Sequence, residues 1–325
     1  MTITTSRRTI FSIAAAAALS MALPVHASDW APNRPVEMVI MAGQGGGADR
    51  LARLFQTIIQ QERLARMPFM PVNKGGGSGA EALRYLKDNP ANPHIIMATL
   101  NSYFTTPIQT DIGVNIEEFT PIARMAVDTF ALWVNVDSGI ETLEQYVEAV
   151  RAADGAWRMG GTGSGQEDSL VTALLEREFG IRHTYVPMGG GGEVATQLAG
   201  GHIDATVNNP SEAMNFWQAG RVRPIALLTA DRLDSMPGVP TFAELGYDLE
   251  YYMQRSFVAP SGLTEAQQAY YVDLLRALSE TEVWQSYAAE QALLTDFLAG
   301  DALQEYFLRE RELHRELLDS IDQQS

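Results

Sequence analysis

The chain contains the run Val36-Glu37-Met38-Val39-Ile40-Met41-Ala42-Gly43-Gln44-Gly45-Gly46-Gly47-Ala48-Asp49-Arg50-Leu51-Ala52-Arg53. Residues 36–41 are apolar and β-branched enough for a short buried strand. Gly43, Gly45, Gly46 and Gly47 then clear side chains from a turn. From Asp49 the apolar residues return at helical spacing, at Leu51, Leu54, Phe55, Ile58 and Ile59. Strand, glycine loop and helix start place backbone N–H groups at the positive end of a helix, an arrangement that suits an anion. Glycine lets the backbone approach a ligand closely and adopt positive φ, and a β-branched residue at Gly46 is expected to block close approach and to disfavour any positive φ. Arg50 is expected on the solvent face of the helix.

A second stretch has the same form. Residues 157–175 read as a short strand, the loop Gly160-Gly161-Thr162-Gly163-Ser164-Gly165-Gln166 and a helix beginning near Glu167 and Asp168. Two such loops, far apart in the chain, imply two lobes sharing one ligand. Between and after them strands and helices alternate, which predicts an α/β protein with mainly parallel sheets. Ligands of such sheets bind beyond the strand C-terminal ends, where these loops fall. Residues 264–280, 282–290 and 300–322 read as charged helices forming a solvated cover.

Residues 1–27 have the form of an export signal. Arg7 and Arg8 precede an apolar run over 10–23, and Val25-His26-Ala27 fits a small-x-small cleavage site. Ser6-Arg7-Arg8-Thr9-Ile10-Phe11 fits a twin-arginine signal and an ordinary secretory signal alike. The 325-residue chain has no cysteine, so disulfides, thiolate chemistry and a lipid-bearing cysteine are excluded. A free periplasmic protein is the simplest expectation. The formal charge is −17; without the two leader arginines it is −19, from 21 basic and 40 acidic residues. Such a field does not favour nucleic acid or anionic lipid.

Rival motifs fail on particular residues. Gly43-Gln44-Gly45-Gly46-Gly47-Ala48 approximates a dinucleotide loop, but the next strand, 69–73, ends in Asn73 and Lys74 rather than an acid. No Gly-Lys-Ser/Thr phosphate loop is present. Gly76-Gly77-Ser78-Gly79 lacks the full GxSxG elbow and a linked histidine. His94, His183, His202 and His314 form no metal motif and read as structural or surface groups. Glu167 and Asp168 read as helix-start caps rather than as an acid/base pair.

What remains is a two-lobed binding protein, and here the chain resembles the periplasmic solute receptors of tripartite tricarboxylate transporters. The resemblance runs from about Pro35 to Leu318. It is carried by Val39 to Asp49, by Gly75-Gly76-Gly77-Ser78-Gly79 and by Gly160 to Asp168. Val186-Pro187-Met188-Gly189, Gly200-Gly201-His202-Ile203-Asp204, Met236-Pro237-Gly238-Val239-Pro240 and Val258-Ala259-Pro260-Ser261-Gly262 complete the series. Two departures stand out: Met41-Ala42 replaces the usual Pro-aromatic entry, and Met188-Gly189 stands where aromatic and basic residues are common.

The resemblance implies a type II-like periplasmic-binding-protein fold with the ligand cleft between lobes. Residues 28–127 with 256–325 would form the first lobe and 128–255 the second. It implies no catalysis and no cofactor. The protein would be a monomer that captures a small organic carboxylate, a tricarboxylate such as citrate first and a di- or aromatic carboxylate next, then docks on large and small integral membrane subunits. The acid head would meet Gly43, Gln44, Gly45, Gly46, Gly47 and Asp49 of the first loop and Thr162, Gly163, Ser164, Gly165 and Gln166 of the second. Asn73, Asn101, Ser102 and Asn208, read as strand-end residues, would contact the remainder. Arg255 would meet a second carboxylate or close a salt bridge. A receptor for another anion, a receptor serving a sensor, and a periplasmic hydrolase remain alternatives.

Overall fold

The computed structural model describes residues 30–163 and 165–322. The export signal expected over residues 1–27 lies outside the described residues, as does Ser164. No described helix is long and apolar enough to cross a membrane.

The first part of the chain runs β1 (Val36–Ile40), α1 (Gly47–Gln61), β2 (Phe69–Asn73), α2 (Ala80–Lys87), β3 (Ile95–Thr99), α3 (Ser102–Gln109) and β4 (Thr120–Thr129). The second runs β5 (Ala131–Asn135), α4 (Leu143–Ala153), β6 (Arg158–Gly161), α5 (Glu167–Phe179), β7 (Thr184–Pro187), α6 (Gly191–Ala199), β8 (Ala205–Asn208), α7 (Pro210–Gln218) and β9 (Val222–Leu227). The chain then returns through β10 (Tyr252–Ala259) to the tail helices α8 (Glu265–Ser279), α9 (Glu282–Glu290) and α10 (Gly300–Asp322).

Two five-stranded sheets result, ordered β2-β1-β3-β10-β4 and β7-β6-β8-β5-β9. Four strands of each run in the same direction, while β10 and β5 run antiparallel to both their neighbours. The expectation of mainly parallel sheets holds for strand direction, four of the five in each sheet, while the one inserted strand makes half of the strand pairings antiparallel. The cause is the return of the chain, because a strand arriving from the other lobe enters its sheet in the opposite sense. β10, which has no regular alternation of apolar and polar residues, was not anticipated as a strand. The boundaries drawn after Val127 and Arg255 fall inside strands, since β4 continues to Thr129 and β10 begins at Tyr252.

The two crossings run side by side. Leu228 N donates to Phe130 O at 2.9 Å and Tyr251 N to Leu228 O at 3.0 Å. The Phe130 and Tyr251 rings pack with centroids 5.5 Å apart. α1 buries Leu51, Ala52, Phe55, Ile58 and Ile59 against the first sheet. Phe55 lies between Phe257 of β10 and Trp284 of α9, at 5.4 and 5.1 Å.

The tail is more than a solvated cover. The segment after α9 pairs with β4 through Val127–Leu294 and Arg124–Leu298 bridges. α10 buries Leu303, Phe307 and His314. α8 starts on a capping box in which Thr264 and Gln267 exchange side-chain and backbone bonds.

Candidate functional site

The first loop holds its own shape. Gly45 has φ +81°, which needs glycine. Its N–H donates to Asp49 Oδ2 at 3.0 Å, and Arg53 Nε donates to the same carboxylate at 3.0 Å. Burial works to raise the Asp49 pKa, but the bonds from Arg53, Gly45 and Asn73 hold it below the usual carboxylate range. Asp49 is a loop-closing residue. Asn73 is engaged in the same frame, donating to Ala42 O at 3.0 Å and accepting from Arg53 at 3.2 Å.

The lobes meet glycine against glycine. A Cβ added to Gly43 would lie 2.2 Å from Gly189 O, and one on Gly192 would lie 2.5 Å from Gly45 O. Side chains of the second lobe also reach into the first. Glu212 of α7 accepts from Gly47 N, the first residue of α1, at 2.6 Å. Glu167, the first residue of α5, accepts from Ser102 N, the first residue of α3, at 2.7 Å. Thr105 Oγ1 of α3 donates back to Gly165 O at 3.1 Å. The helix starts expected from the sequence at α1 and α5 exist, and the protein's own carboxylates lie on the starts of α1 and of α3, the second of which was not expected.

Between these contacts lies a cavity of about 50 Å³. That is room for one or two waters, each of which takes about 30 Å³ in the liquid. The first residues of α1, α5 and α6 all line it. Of the residues singled out in the sequence, Gly43, Gly46, Gly47, Thr162, Gln166 and Arg255 line this cavity. Gln44, Gly45, Asp49, Asn73, Asn101, Ser102, Gly163, Gly165 and Asn208 do not. Asn101 is spent on the crossing, where it donates to Tyr252 O at 2.7 Å and accepts from Gln254 N at 3.1 Å. Asn208 donates to Gly191 O at 3.0 Å and shapes the loop from behind. Asn101 and Ser102 lie at a helix start, not at a plain strand end.

Sequence reasoning missed Glu167, Asp168, Asn209 and Glu212 as cavity residues, along with Gly189, Gly190 and Gly191. A second glycine run, Gly189-Gly190-Gly191-Gly192, was the available signal. A larger open depression of about 530 Å³ lies between α10 and the crossing, away from both glycine loops. None of the residues lining it belongs to a glycine loop or a helix start.

One expectation about the first loop is narrowed and one is corrected. Gly46 has φ −76°, so positive φ does not explain the glycine there. The space is needed at its neighbours: a Cβ on Gly47 would lie 2.4 Å from Arg255 Nη2. Arg50 does not face solvent. Its Nε and Nη2 are buried without a hydrogen-bond partner, and its charge acts on Glu212 and Asp128.

Arg255 on β10 is 2% exposed and lines the cavity. It binds Asp128 of β4 through Nε, at 3.0 Å, and through Nη2. The salt bridge is thus formed, and Arg255 lines the cavity as well.

Burial pushes the carboxyls of Glu167, Asp168 and Glu212 upward, and for Asp168 the neighbouring Glu212 and Glu167 charges push further. An acid whose pKa is raised by folding holds its proton more tightly in the folded state. Its contribution to stability is then greatest below the unfolded pKa, about 4 for Asp, and is lost as pH rises through the folded value. Asp168→Asn keeps an oxygen for Thr162 N, which now bonds Asp168 Oδ2 at 2.8 Å. The variant should therefore melt higher than wild type at pH 8, with the gap closing towards pH 4. Thermal midpoints against pH read this directly; a gap that does not change with pH would show that Asp168 does not titrate in this range.

Comparison with known proteins gives a consistent picture. The family model described as the tripartite tricarboxylate transporter family receptor matches residues 62–277. A UPF0065 protein from the gbd 5′ region of Cupriavidus necator is 27% identical over 252 residues, covering 77% of this chain and 76% of that protein. Protein BugT of Bordetella pertussis is 24% identical over 238 residues, covering 71% of each. Among solved structures, the periplasmic binding protein BugD superposes with a TM-score of 0.84 at 20% identity, over 90% of this chain and 98% of that one. A protein of R. palustris solved with adipate gives 0.81 at 23% identity, over 91% and 98%. The fold expected from the sequence, two α/β lobes of the periplasmic-binding-protein type, is the fold these structures share.

Proposed function

From the premise that this chain belongs to the tripartite tricarboxylate transporter receptor family, we propose that it captures a small organic carboxylate in the cleft between its lobes and delivers it to integral membrane transporter subunits. The family is one of receptors, not enzymes. Periplasmic residence is part of the same proposal.

One observation supports the reading: three helix starts, at Gly47, Glu167 and Gly191, line one cavity that Arg255 lines as well. Each helix start contributes roughly half a positive charge. A ligand carboxylate at this point gains dipoles from both lobes, so its binding favours the closed form. The two neighbours whose structures contain adipate and malate bind acids of this class. The cavity of about 50 Å³ is smaller than such an acid, so the lobes must part, or Glu212 must swing aside, to admit it. Four carboxylates in or beside the cleft favour a ligand with few negative charges over a triply charged citrate.

A thermal-shift screen of mono-, di- and tricarboxylates, with phosphonates and sulfonates as contrasts, tests the proposal. At a hundredfold excess over Kd a true ligand stabilises by about 2.7 kcal/mol. Stabilisation by a phosphonate or a sulfonate alone would replace the carboxylate reading with another anion.

A further inference from the structure

We infer that the depression between α10 and the crossing is a second ligand site, separate from the cleft, for a hydrophobic organic cation such as an arylalkylamine.

One wall is a single face of α10. Tyr306, Glu310, Leu313, His314 and Leu317 recur with the period of the helix and line the depression together. Opposite them lie Arg124 and Val127 of β4, Leu294 and Asp296 of the segment that pairs with β4, and Tyr251 and Tyr252 of the crossing. Leu313 and Leu294 are 50 and 44% exposed, among the highest values for large apolar side chains in the described residues. The volume of about 530 Å³ falls within the range of about 300–1,000 Å³ usual for small-molecule sites.

The charges set the chemistry of the occupant. Three carboxylates line the depression, Glu250, Asp296 and Glu310, against one guanidinium, Arg124. Arg124 is already engaged, since it pairs with Asp296 and lies over the Tyr306 ring, 4.3 Å from its centroid. His314 adds no charge at pH 7.5, because burial pushes its pKa below the ordinary histidine value. Its ring is also satisfied, with Nδ1 2.7 Å from Glu310 O and Nε2 3.1 Å from Tyr251 Oη. Glu250 accepts from Tyr252 Oη at 3.2 Å and has no salt-bridge partner among the described residues. The Glu310 carboxylate accepts no hydrogen bond among the described residues, and its ion pair with exposed Arg309 is 3.9 Å long. Burial raises its pKa against the Arg309 and Arg124 charges.

Two carboxylates are thus left uncompensated beside exposed leucines and tyrosine rings. An anion is repelled there, and a neutral apolar molecule leaves both charges unanswered. An ammonium on an apolar body supplies up to three donors to the carboxylates while the body covers Leu294 and Leu313. Aromatic faces attract the same charge.

Calorimetric titration of the purified protein at pH 7.5 tests this. The probes are 2-phenylethylamine and tryptamine, with 2-phenylethanol and tryptophol as neutral molecules of the same shape. The amines should bind at least about tenfold more tightly than the alcohols, as expected for hydrogen bonds to a charged group. Glu310→Gln, which keeps the shape and removes the charge, should cut amine affinity by about the same factor. Leu313→Arg sets a cation at the exposed mouth and should abolish amine binding without lowering the melting temperature. Glu316→Gln, exposed on α10 outside the depression, is the control and should bind as wild type does. Alcohols that bind as tightly as the amines would overturn the inference, as would amine affinity unchanged in both Glu310→Gln and Leu313→Arg. Affinity lost in Glu212→Gln and kept in Glu310→Gln would place the amine in the cleft and overturn it too. So would a failure of every probe to bind at millimolar concentration. None of these outcomes touches the carboxylate reading of the cleft.

Discussion

Gly43→Ala is expected to weaken ligand binding by about a hundredfold or more, or about 2.8 kcal/mol at about 1.4 kcal/mol per decade. A Cβ at Gly43 would lie 2.2 Å from the Gly189 carbonyl oxygen and 3.1 Å from its carbon. Both are backbone atoms of the opposite lobe, so no side-chain rotation relieves the collision. Opening the lobes does relieve it, and for that reason the variant should fold normally and fail to close. Scattering should then show a larger radius of gyration with ligand present than wild type gives, alongside the loss seen by calorimetry. Gly238→Ala is the control, because a Cβ there meets nothing within 4 Å. Unchanged affinity in Gly43→Ala would mean that the glycine contact between lobes is not part of the bound state.

The second large effect is on stability. Asp128→Asn should lower the thermal midpoint by on the order of 10 °C, corresponding to about 3–5 kcal/mol for leaving one member of a buried ion pair uncompensated. Asp128 and Arg255 are 1 and 2% exposed, so neither can turn to water when its partner is lost. An exposed pair such as Arg232–Glu244 should cost no more than about 1 kcal/mol when broken. Replacing both buried partners together, as Asp128→Leu with Arg255→Met, should recover much of the loss, because no charge is then stranded. The measurement also bears on the two roles open to Arg255. An Asp128→Asn protein that melts like wild type would show that the pair is not structural and would leave Arg255 to the ligand alone.

Much of the architecture was legible because it is written in local order. The apolar run of β1, the glycine turn and the periodic Leu51, Phe55 and Ile58 of α1 are contiguous, so each can be read without knowing what packs on it. The same holds for β6, its loop and α5. The return strand β10 was not legible. Its residues Met253, Gln254, Arg255 and Ser256 are all buried, and a polar run like this is stable there only because β3 and β4 flank it and Asp128 and Asn101 complete its bonds.

The site divides along the same line. The amino-acid order by itself determined two α/β lobes and two glycine loops at helix starts, since strand propensity, helical periodicity and the conformational freedom of glycine act over a few residues. Only the tertiary structure decided what those loops face. Glu212 lies 165 residues from Gly47, and Glu167 lies 65 from Ser102. In the sequence Glu167 reads as an ordinary helix-start cap, and Glu212 carries no local signal that marks it. Closing the lobes brings each onto the N-terminus of a helix in the other lobe and turns a pair of anion-seeking loops into a cleft walled by carboxylates. That change follows from distance alone: electrostatic interactions depend on separation in space, and the sequence records only separation along the chain.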